Sequence, residues 1–570
     1  TAPVEESAVP KIEHLKEKLS VPQYNALEKV LKENEGLFSK NKRDIGCCNF
    51  TQHQIDLIPD AVPHREGARR MAPWKADQAN EEIRGLQQLG LIEPAQSPWA
   101  CGLVMAKKKG NQLRLCCDFR NLNDQTVKDA YPIPRIDESL ARLGNAKYFT
   151  TLDLGSAFWQ VPLREEDKPK TAFACELGLF QWKRMPFGLC NATATFQRLM
   201  SRVLADVTQR YGSIIMCYVD DVVIATPTID DHIDRLDEVF RKLREAGLKC
   251  KPSKCEILKN EVVYLGRLIN QEGVQPDPES VRVVLKWEVP RNKRELQSFL
   301  GFANYYREFI KDYAVIAAPI QHLVRTRGTV MEWTPECQRA FEILKTLLCS
   351  APILSMPTED GRFFLDTDAS EVAIAAILQQ EQEINGSKKL RVIAYGSRIL
   401  SDAEMKYGAP KAEMLAVVYF LEKFRSHLAG RQFTLRVDNQ ALSWLKTYSM
   451  DNGLIGRWIA RLGQYDMKIV HRPRERHTNA DGLSKKSEFY RLREERRSCQ
   501  GEVREGLSFL DQETYEALPL VRWIDKTGNA IPDHPETPTM RVVKALTWSS
   551  REKESIQIPD GESHEIIPSI

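Results

Sequence analysis

Residues 213–225, SIIMCYVDDVVIA, decide the fold, because two apolar runs rich in Ile and Val flank the adjacent carboxylates Asp220 and Asp221. Runs this short and this close together predict the two buried strands of a hairpin. A two-residue hairpin turn favours Asn-Gly or Asp-Gly, since its central residues need positive φ. Two Asp residues are therefore a poor turn sequence, and their charges repel each other. A divalent cation such as Mg²⁺ would relieve that repulsion; a solvated acidic turn is the ordinary alternative.

A third carboxylate follows another apolar stretch. Residues 148–154, YFTTLDL, predict a strand that ends at Asp153. By itself Asp153 could simply cap the segment that follows. Two divalent cations about 3.5–4 Å apart need carboxylates from more than one segment of the chain. We therefore expect Asp153 to join Asp220 and Asp221 in one metal site.

A basic hairpin precedes this strand. Two predicted strands, residues 102–106 and 112–119, flank the sequence KKKGN. A solvated polar turn would carry the same charges. A triphosphate would also suit them, because Lys108 supplies a point charge and Arg114 a planar fork of N–H donors.

Length, composition, charge and cysteine content limit the possible classes of protein. A chain of 570 residues is too long for one hydrophobic core and predicts several domains. Its 42% apolar and 28% charged residues are typical of a globular protein, and a net charge of +3 does not by itself indicate nucleic-acid binding. The 13 cysteines lack framework spacing, which favours reduced thiols inside a cell. No apolar run approaches the roughly 20 residues of a membrane span, so we expect no membrane partner. The chain begins at Thr1, not Met, which predicts a product processed from a longer chain.

Residues 361–487 hold a second set of acids at predicted strand ends and helix starts. One strand ends in the sequence DTDAS, a helix opens at Pro410, and a strand over residues 433–437 leads into another acid. Each acid alone would more often be a helix cap or a surface residue. The four members of the set are Asp368, Glu413, Asp438 and Asp481.

Six strings occur in the order and spacing of reverse transcriptases: FTTLDLGSAFWQ, KTAF, MPFGLCNATATFQ, CYVDD, GLKCKPSKCE and YLGRLI. MPFGL and FLGFANYYREFI resemble gypsy-type LTR retrotransposons more than retroviruses, which usually have Gln where Phe187 stands. TDAS, PKAEMLAV, RVDNQAL and NADGLSK resemble the ribonuclease H of the same elements. The resemblance covers about residues 45–487 and is specific because independent strings fall in register.

This resemblance implies a multidomain fold of the α+β and α/β classes. A right-hand polymerase with fingers, palm and helical thumb would be followed directly by a ribonuclease H-like domain. A thumb needs most of the chain between Asp221 and Asp368, which leaves no room for a separate connection domain. The expected segments are an N-terminal accessory segment at 1–50, fingers and palm at 51–275, a helical thumb at 276–350, ribonuclease H at 351–487, and a C-terminal tail or partly disordered linker at 488–570.

Carried over position by position, the resemblance implies a role for each polymerase residue. Asp153, Asp220 and Asp221 hold the metals, and the Leu154 carbonyl lends an oxygen. Lys254 protonates the pyrophosphate leaving group. The implied nucleotide contacts are Lys108 and Arg114 on the triphosphate, Phe158 as a steric gate against a ribose 2′-OH, and Phe187 and Gly188 in the loop that passes the base pair.

In the nuclease, the implied metal ligands are Asp368, Glu413, Asp438 and Asp481. Asp366, two residues away on the same strand face, competes with Asp368. The family usually has His where Asn439 stands, and we expect this change to affect metal binding little. His471 stands where these elements commonly have Tyr and some retroviral enzymes have a catalytic His. It could move a proton near neutral pH, or it could be a surface residue of a basic strand.

We therefore expect an RNA-directed DNA polymerase, also able to copy DNA, with ribonuclease H activity on RNA:DNA hybrids. Its partners would be an RNA template, a DNA primer and deoxynucleoside triphosphates. Each active site would use two Mg²⁺ ions, with Mn²⁺ as a substitute. The expected location is the cytoplasm, within virus-like particles, with a nuclear stage as a further option. Related enzymes include both monomers and homodimers that form on the substrate, so the sequence leaves both open.

Two other functions compete with this one. An RNA-dependent RNA polymerase would have no use for ribonuclease H, and Phe158 would exclude its ribonucleotides. A domesticated, inactive nucleic-acid-binding protein predicts broken carboxylate sets, whereas all seven acids are present. The sequence has no His-His-Cys-Cys pattern and no Asp-Thr-Gly or Asp-Ser-Gly, so we expect neither an integrase nor a protease in these residues.

Overall fold

The structure is a computed structural model with two compact units, Thr1–Leu265 and Gly266–Ile570. It describes residues 9–41, 43–107, 113–141, 143–144, 146–212, 215–325, 331–384, 386–437, 453–471, 555–557 and 563–565. For residues 107, 113, 114, 137, 141, 555–557 and 563–565 it describes the backbone alone. The predicted tail at 488–570 therefore lies outside the described residues, apart from two short strands.

Helices and strands are interspersed along the first unit. Its helices are α1 (Val21–Glu33), α2 (Pro73–Gln88), α3 (Arg120–Asp124), α4 (Ile136–Ala141), α5 (Ala192–Val203), α6 (Ala205–Tyr211) and α7 (Ile229–Glu245). Its strands are β1 (Ile92–Pro94), β2 (Leu103–Lys107), β3 (Leu113–Cys117), β4 (Tyr148–Asp153), β5 (Phe173–Cys175), β6 (Gly178–Trp182), β7 (Ile215–Tyr218), β8 (Asp221–Thr226), β9 (Glu256–Lys259) and β10 (Glu261–Tyr264).

An antiparallel sheet in the order β7-β8-β4-β9 lies at the centre of the first unit. It contains the predicted hairpin, because β7 and β8 pair directly. Val222, Val223 and Ile224 of β8 are all fully buried. Successive strand residues face opposite sides of a sheet, so this strand is covered on both sides. Burial on both sides explains why its sequence is a continuous apolar run.

The predicted basic hairpin is formed by β2 and β3. The two strands pair from Leu103 opposite Cys117 to Lys107 opposite Leu113. Its tip, with Lys108, lies outside the described residues, and only the backbone of Arg114 is described.

The described residues of the predicted accessory segment pack into the core of the first unit. A capping box at Ser20 starts the first helix, and Pro22 lies in its first turn. Proline is tolerated in the first turn, where its missing N–H would have no partner. The Phe38 ring is fully buried and lies 5.5 Å from the Phe240 ring of α7.

A buried histidine joins the central sheet to α7 through a defined chain of hydrogen bonds. The Thr226 hydroxyl donates to the Thr228 carbonyl at 2.9 Å, so it accepts from His232 Nδ1 at 2.8 Å. The Thr150 hydroxyl accepts from the Leu258 N–H at 3.0 Å and donates to His232 Nε2 at 2.7 Å. This chain requires a neutral imidazole, and burial lowers the pKa of His232 to about 3.

The second unit begins with the hairpin strands β11 (Arg267–Asn270) and β12 (Gly273–Pro276). Helices follow, as the sequence predicted for the thumb region. They are α8 (Pro278–Leu285), α9 (Lys293–Tyr305), α10 (Tyr313–Arg325) and α11 (Pro335–Cys349).

The rest of the second unit is built on a mixed sheet in the order β15-β14-β13-β16-β17. Strand β13 is antiparallel to β14 and parallel to β16. The elements are β13 (Phe363–Ala369), β14 (Ala373–Ile384), β15 (Ser387–Ile399), α12 (Ala409–Lys423), α13 (Arg425–Leu428), β16 (Phe433–Val437), α14 (Leu454–Leu462) and β17 (Met467–His471), followed by the short strands β18 (Ser555–Gln557) and β19 (Ser563–Glu565).

The helical segment and the mixed sheet touch within the second unit. Only residues 350–362 separate α11 from β13. The Ala314 N–H donates to Ser397 Oγ at 3.0 Å, and Val274 exchanges backbone hydrogen bonds with Leu354. Among the described residues no further domain lies between them, as the spacing predicted. In that same part of the chain, every helix is too short or too polar to cross a bilayer.

We predict that His232 makes the first unit acid-sensitive. The folded pKa is about 3 and the ordinary value is 6.5, so only the unfolded chain takes up this proton between those values. Stability should therefore be complete above pH 6.5 and fall by up to about 1.4 kcal/mol per pH unit below it. Hydrogen exchange of peptides from β4, measured between pH 7.5 and 4.5, would report the slope.

The control is His232→Gln, which cannot take up this proton. We expect it to be less stable at pH 7.5, because the chain of hydrogen bonds is broken, yet to lose less stability on acidification. Equal slopes for parent and variant would contradict the assignment.

Candidate active site

Strand register brings two of the predicted acids together. Strands β4 and β8 pair antiparallel, with Asp153 directly opposite Asp221. Residues opposite each other in such a pair point to the same face, with Cβ atoms about 4.5–5.5 Å apart. Like charges in this position are unfavourable, so the apolar part of the two strands must hold them there.

The turn beside these acids differs from the sequence expectation. Tyr218 pairs with Asp221, so the central turn residues are Val219 and Asp220 rather than the two Asp residues. Asp221 is already the first residue of β8. The positive φ that such a turn requires is found at Val219, at 57°. This conformation is strained for a β-branched residue.

The burial and closeness of these acids raise the pKa values of Asp220 and Asp221. Burial raises the pKa of Asp221 to about 6, with further contributions from Asp220 and Asp153. Burial and Asp153 also raise the pKa of Asp220. Both shifts mean that the charged forms are disfavoured without a neutralising partner.

Lys254 is the cation found at the three acids. Its Nζ lies 2.7 Å from Asp153 Oδ2, and this hydrogen bond is the main reason that the pKa of Lys254 is raised. Lys254 thus lies beside one of the predicted metal ligands, and its part in protonating a leaving group stays a prediction.

The carboxylates of Asp153, Asp220 and Asp221 are the type of ligand that a divalent cation binds, but their present arrangement does not form a binding site. Among the described residues, no three Asp, Glu, His or Cys side chains are arranged to hold a metal ion as they stand. Asp153 instead faces Lys254. One lysine offsets only one of three neighbouring carboxylates, and oxygen ligands of this kind are what hard divalent cations bind.

Phe158, which follows Asp153 closely in the sequence, belongs to a cluster of aromatic rings. The Phe158 ring lies 5.2 Å from Phe187 and 6.0 Å from the buried Phe196. Gly188 has φ of 98°, and its carbonyl accepts from Asn123 Nδ2 at 2.8 Å. The structure thus places the predicted gate Phe158 against Phe187, the residue before Gly188 in the loop.

Two acids of the second predicted set are also brought together. Asp368 on β13 and Glu413 on α12 are 3% and 4% exposed. The Ala369 N–H donates to Glu413 Oε1 at 3.2 Å, which places the glutamate beside the end of β13. The other two predicted ligands, Asp438 and Asp481, lie outside the described residues.

The competing acid, Asp366, has a different environment. It is fully buried and forms a two-pronged ion pair with Arg436 of the neighbouring strand β16, with Nη2 2.8 Å from Oδ2. The carboxylate of Asp366 is therefore already engaged by a cationic side chain. The contrast favours Asp368 as the candidate ligand.

His471 ends strand β17 and pairs with Val437, the residue before Asp438. Its side chain is exposed. The register therefore places this histidine beside the last residue of β16, and its catalytic role stays a prediction.

Sequence analysis did not single out Gln197. This residue lies in α5, is 2% exposed, and hydrogen bonds to the turn that carries Asp220. The available signal was a polar residue on the apolar face of an amphipathic helix. That signal predicts burial, but it does not reveal the partner.

Two family models match the chain. Residues 106–269 match reverse transcriptase (RNA-dependent DNA polymerase), and residues 333–435 match an RNase H-like domain found in reverse transcriptase.

The chain is similar to several Pol polyproteins. That of transposon 297 from Drosophila melanogaster is 37% identical over 413 residues, covering 72% of this chain and 38% of the relative. That of transposon gypsy from the same organism is 36% identical over 430 residues, covering 72% and 40%. The transposon Tf2-3 polyprotein of Schizosaccharomyces pombe is 31% identical over 419 residues, covering 73% and 31%. The chain therefore spans about a third to two fifths of the length of these relatives.

Solved structures share the fold. A foamy viral protease-reverse transcriptase in complex with an RNA/DNA hybrid has a TM-score of 0.70 at 21% identity, covering 89% of this chain and 65% of that one. The viral protein in complex with dsDNA has a TM-score of 0.70 at 23% identity, covering 83% and 99%.

The fold and the paired acids define a chain that joins a reverse transcriptase domain to an RNase H-like domain, and both domain types generally use divalent metal ions. The chain belongs to the reverse transcriptase–ribonuclease H proteins of gypsy-type LTR retrotransposons.

We predict that cation binding at Asp153, Asp220 and Asp221 weakens as the pH falls. With a pKa of about 6, Asp221 takes up a proton below that pH, and the proton competes with the cation. The apparent affinity should then fall by up to about tenfold per pH unit. Mn²⁺ binding followed by electron paramagnetic resonance between pH 7.5 and 5 would measure it.

The matched variant is Asp221→Asn, which we expect to bind more weakly and with less dependence on pH in this range. Constant affinity of the parent protein from pH 7.5 to 5 would refute the prediction.

Proposed function

We propose that this chain is an RNA-directed DNA polymerase, also able to copy DNA, with ribonuclease H activity on RNA:DNA hybrids. The observation that carries the proposal is the strand register that sets Asp153 against Asp221 beside Asp220. The acids Asp368 and Glu413 in the second unit support the nuclease part.

In the polymerase, Asp153, Asp220 and Asp221 would hold two Mg²⁺ ions, or Mn²⁺ in their place, with the Leu154 carbonyl as a further oxygen ligand. Such ions, when bound, lower the pKa of an attacking hydroxyl and neutralise a leaving group. Lys254, already within reach of Asp153, is the group that would give a proton to the departing pyrophosphate.

The nucleotide would be selected by charge and by shape. Lys108 and Arg114 would bind the triphosphate of the incoming deoxynucleotide. Phe158 would clash with a ribose 2′-OH and leave a deoxyribose unhindered. Phe187 and Gly188 would line the loop beside the new base pair.

In the nuclease, the RNA strand of the hybrid would be cut at a second pair of Mg²⁺ ions. The proposed ligands are Asp368, Glu413, Asp438 and Asp481. His471 would move a proton at this site. A polymerase that copies RNA leaves an RNA:DNA hybrid. A ribonuclease H in the same chain would then remove the RNA strand of that hybrid.

The substrates are proposed from the family and from the foamy viral protein, which was solved in complex with an RNA/DNA hybrid. The chain would bind an RNA template, a DNA primer and deoxynucleoside triphosphates, mostly through the nucleic-acid backbone. We place this work in cytoplasmic virus-like particles, where a second copy of the chain could join on the duplex.

The test of the proposed function is primer extension on RNA. We expect Mg²⁺-dependent synthesis by the parent protein and a loss of at least about 10²-fold for Asp220→Asn, since the phosphoryl transfer depends on the metal ligands. Asp368→Asn is the matched control, because it should stop hybrid cleavage while synthesis continues. Equal synthesis by the parent and Asp220→Asn, or binding of nucleic acid without any synthesis, would support the inactive binding protein.

A separate prediction concerns His471. We expect His471→Ala to slow RNA cleavage by about 10-fold to 10²-fold, because general acid–base catalysis contributes on this scale. DNA synthesis by the same preparation should be unchanged. Cleavage as fast as that of the parent would assign His471 to the surface of a basic strand.

A further inference from the structure

A buried glutamine of α5 is bound to the hairpin turn that carries Asp220. Gln197 is 2% exposed. Its Oε1 accepts from the Val219 N–H at 2.8 Å, and its Nε2 donates to the Cys217 carbonyl at 3.2 Å. One side-chain amide therefore satisfies two backbone groups on either side of Tyr218.

The residue that Gln197 holds is the strained one. Val219 has φ of 57°, in the left-handed region that β-branched residues avoid. A backbone conformation of this kind persists only where the surrounding structure determines it. If the turn relaxed, Asp220 would move with it, because Val219 and Asp220 are its two central residues.

A second contact holds the same residue from its other side. The Cys217 thiol lies 3.4 Å from the Val219 carbonyl oxygen. Burial, with Asp220 and Asp221 nearby, raises the pKa of Cys217, so the sulfur keeps its proton and can donate it. The N–H and the carbonyl of Val219 are thus both engaged, and the stronger of the two contacts comes from the glutamine.

We propose that Gln197 is a positioning residue that holds Val219 in its left-handed conformation and so fixes the Asp220 carboxylate for cation binding in the polymerase. This inference rests on the proposed polymerase function. Gln197 acts through the backbone of the turn and contacts neither the nucleotide nor the primer in this role.

The test is Gln197→Met, which keeps an unbranched buried side chain of similar length and removes both hydrogen bonds. We expect the Mg²⁺ concentration for half-maximal primer extension to rise by about tenfold, since a buried backbone N–H loses its partner. Mn²⁺ binding measured by electron paramagnetic resonance should weaken in parallel. Hybrid cleavage by the same preparation should be unchanged.

The matched control is Asn34→Leu. Asn34 is also a buried amide of the first unit, and it donates to the Val30 carbonyl and to Asp237 Oδ1. This variant should lower the melting temperature without moving the Mg²⁺ midpoint. An unchanged midpoint in Gln197→Met, or an equal shift in Asn34→Leu, would overturn the proposal.

Val219→Gly gives the second arm, because glycine adopts positive φ without strain. Added to Gln197→Met, it should bring the Mg²⁺ midpoint most of the way back to that of the parent. No recovery would overturn the claim that the glutamine acts on Val219. If the parent protein makes no DNA, the proposed function fails, while Mn²⁺ binding by parent and variant still tests the role of Gln197.

Discussion

The register between β4 and β8 is the constraint on which the polymerase site depends. It sets Asp153 opposite Asp221, an arrangement that costs up to about 1 kcal/mol for like charges. Burial of each large apolar side chain of β8 contributes about 1.5–3 kcal/mol to the free energy of folding, and Val222, Val223 and Ile224 are all fully buried. Packing therefore overrides the repulsion. A slip of one residue would turn these side chains to the wrong faces and would separate the acids.

Because the acids are held close together, their charges and the strained turn between them must be stabilised by neighbouring groups. Lys254 supplies a positive charge to Asp153 in the protein alone. Gln197 and the Cys217 thiol supply hydrogen bonds to the strained residue Val219. These partners come from three separate segments of the first unit, so the geometry of the site depends on how those segments pack together. Strain of this kind is commonly stored at functional sites.

The local patterns of the sequence predicted much of this fold, and the misses have physical causes. The Val/Ile runs predicted the β7–β8 hairpin, but the two-residue turn begins one residue earlier than the acids suggested, because Tyr218 pairs with Asp221. The contacts of Gln197 depend on tertiary packing and could not be predicted locally.

The nuclease acids show how a neighbouring strand distinguishes two similar residues. Asp366 and Asp368 lie on the same strand and both are buried. Parallel pairing with β16 puts Arg436 beside Asp366, where its planar guanidinium binds both carboxylate oxygens. Asp368 lies beyond the last residue of that pairing, next to Glu413 of α12. Two buried acids side by side form an environment that a cation would stabilise. The length of the pairing between β13 and β16 therefore separates the proposed ligand Asp368 from the ion-paired Asp366.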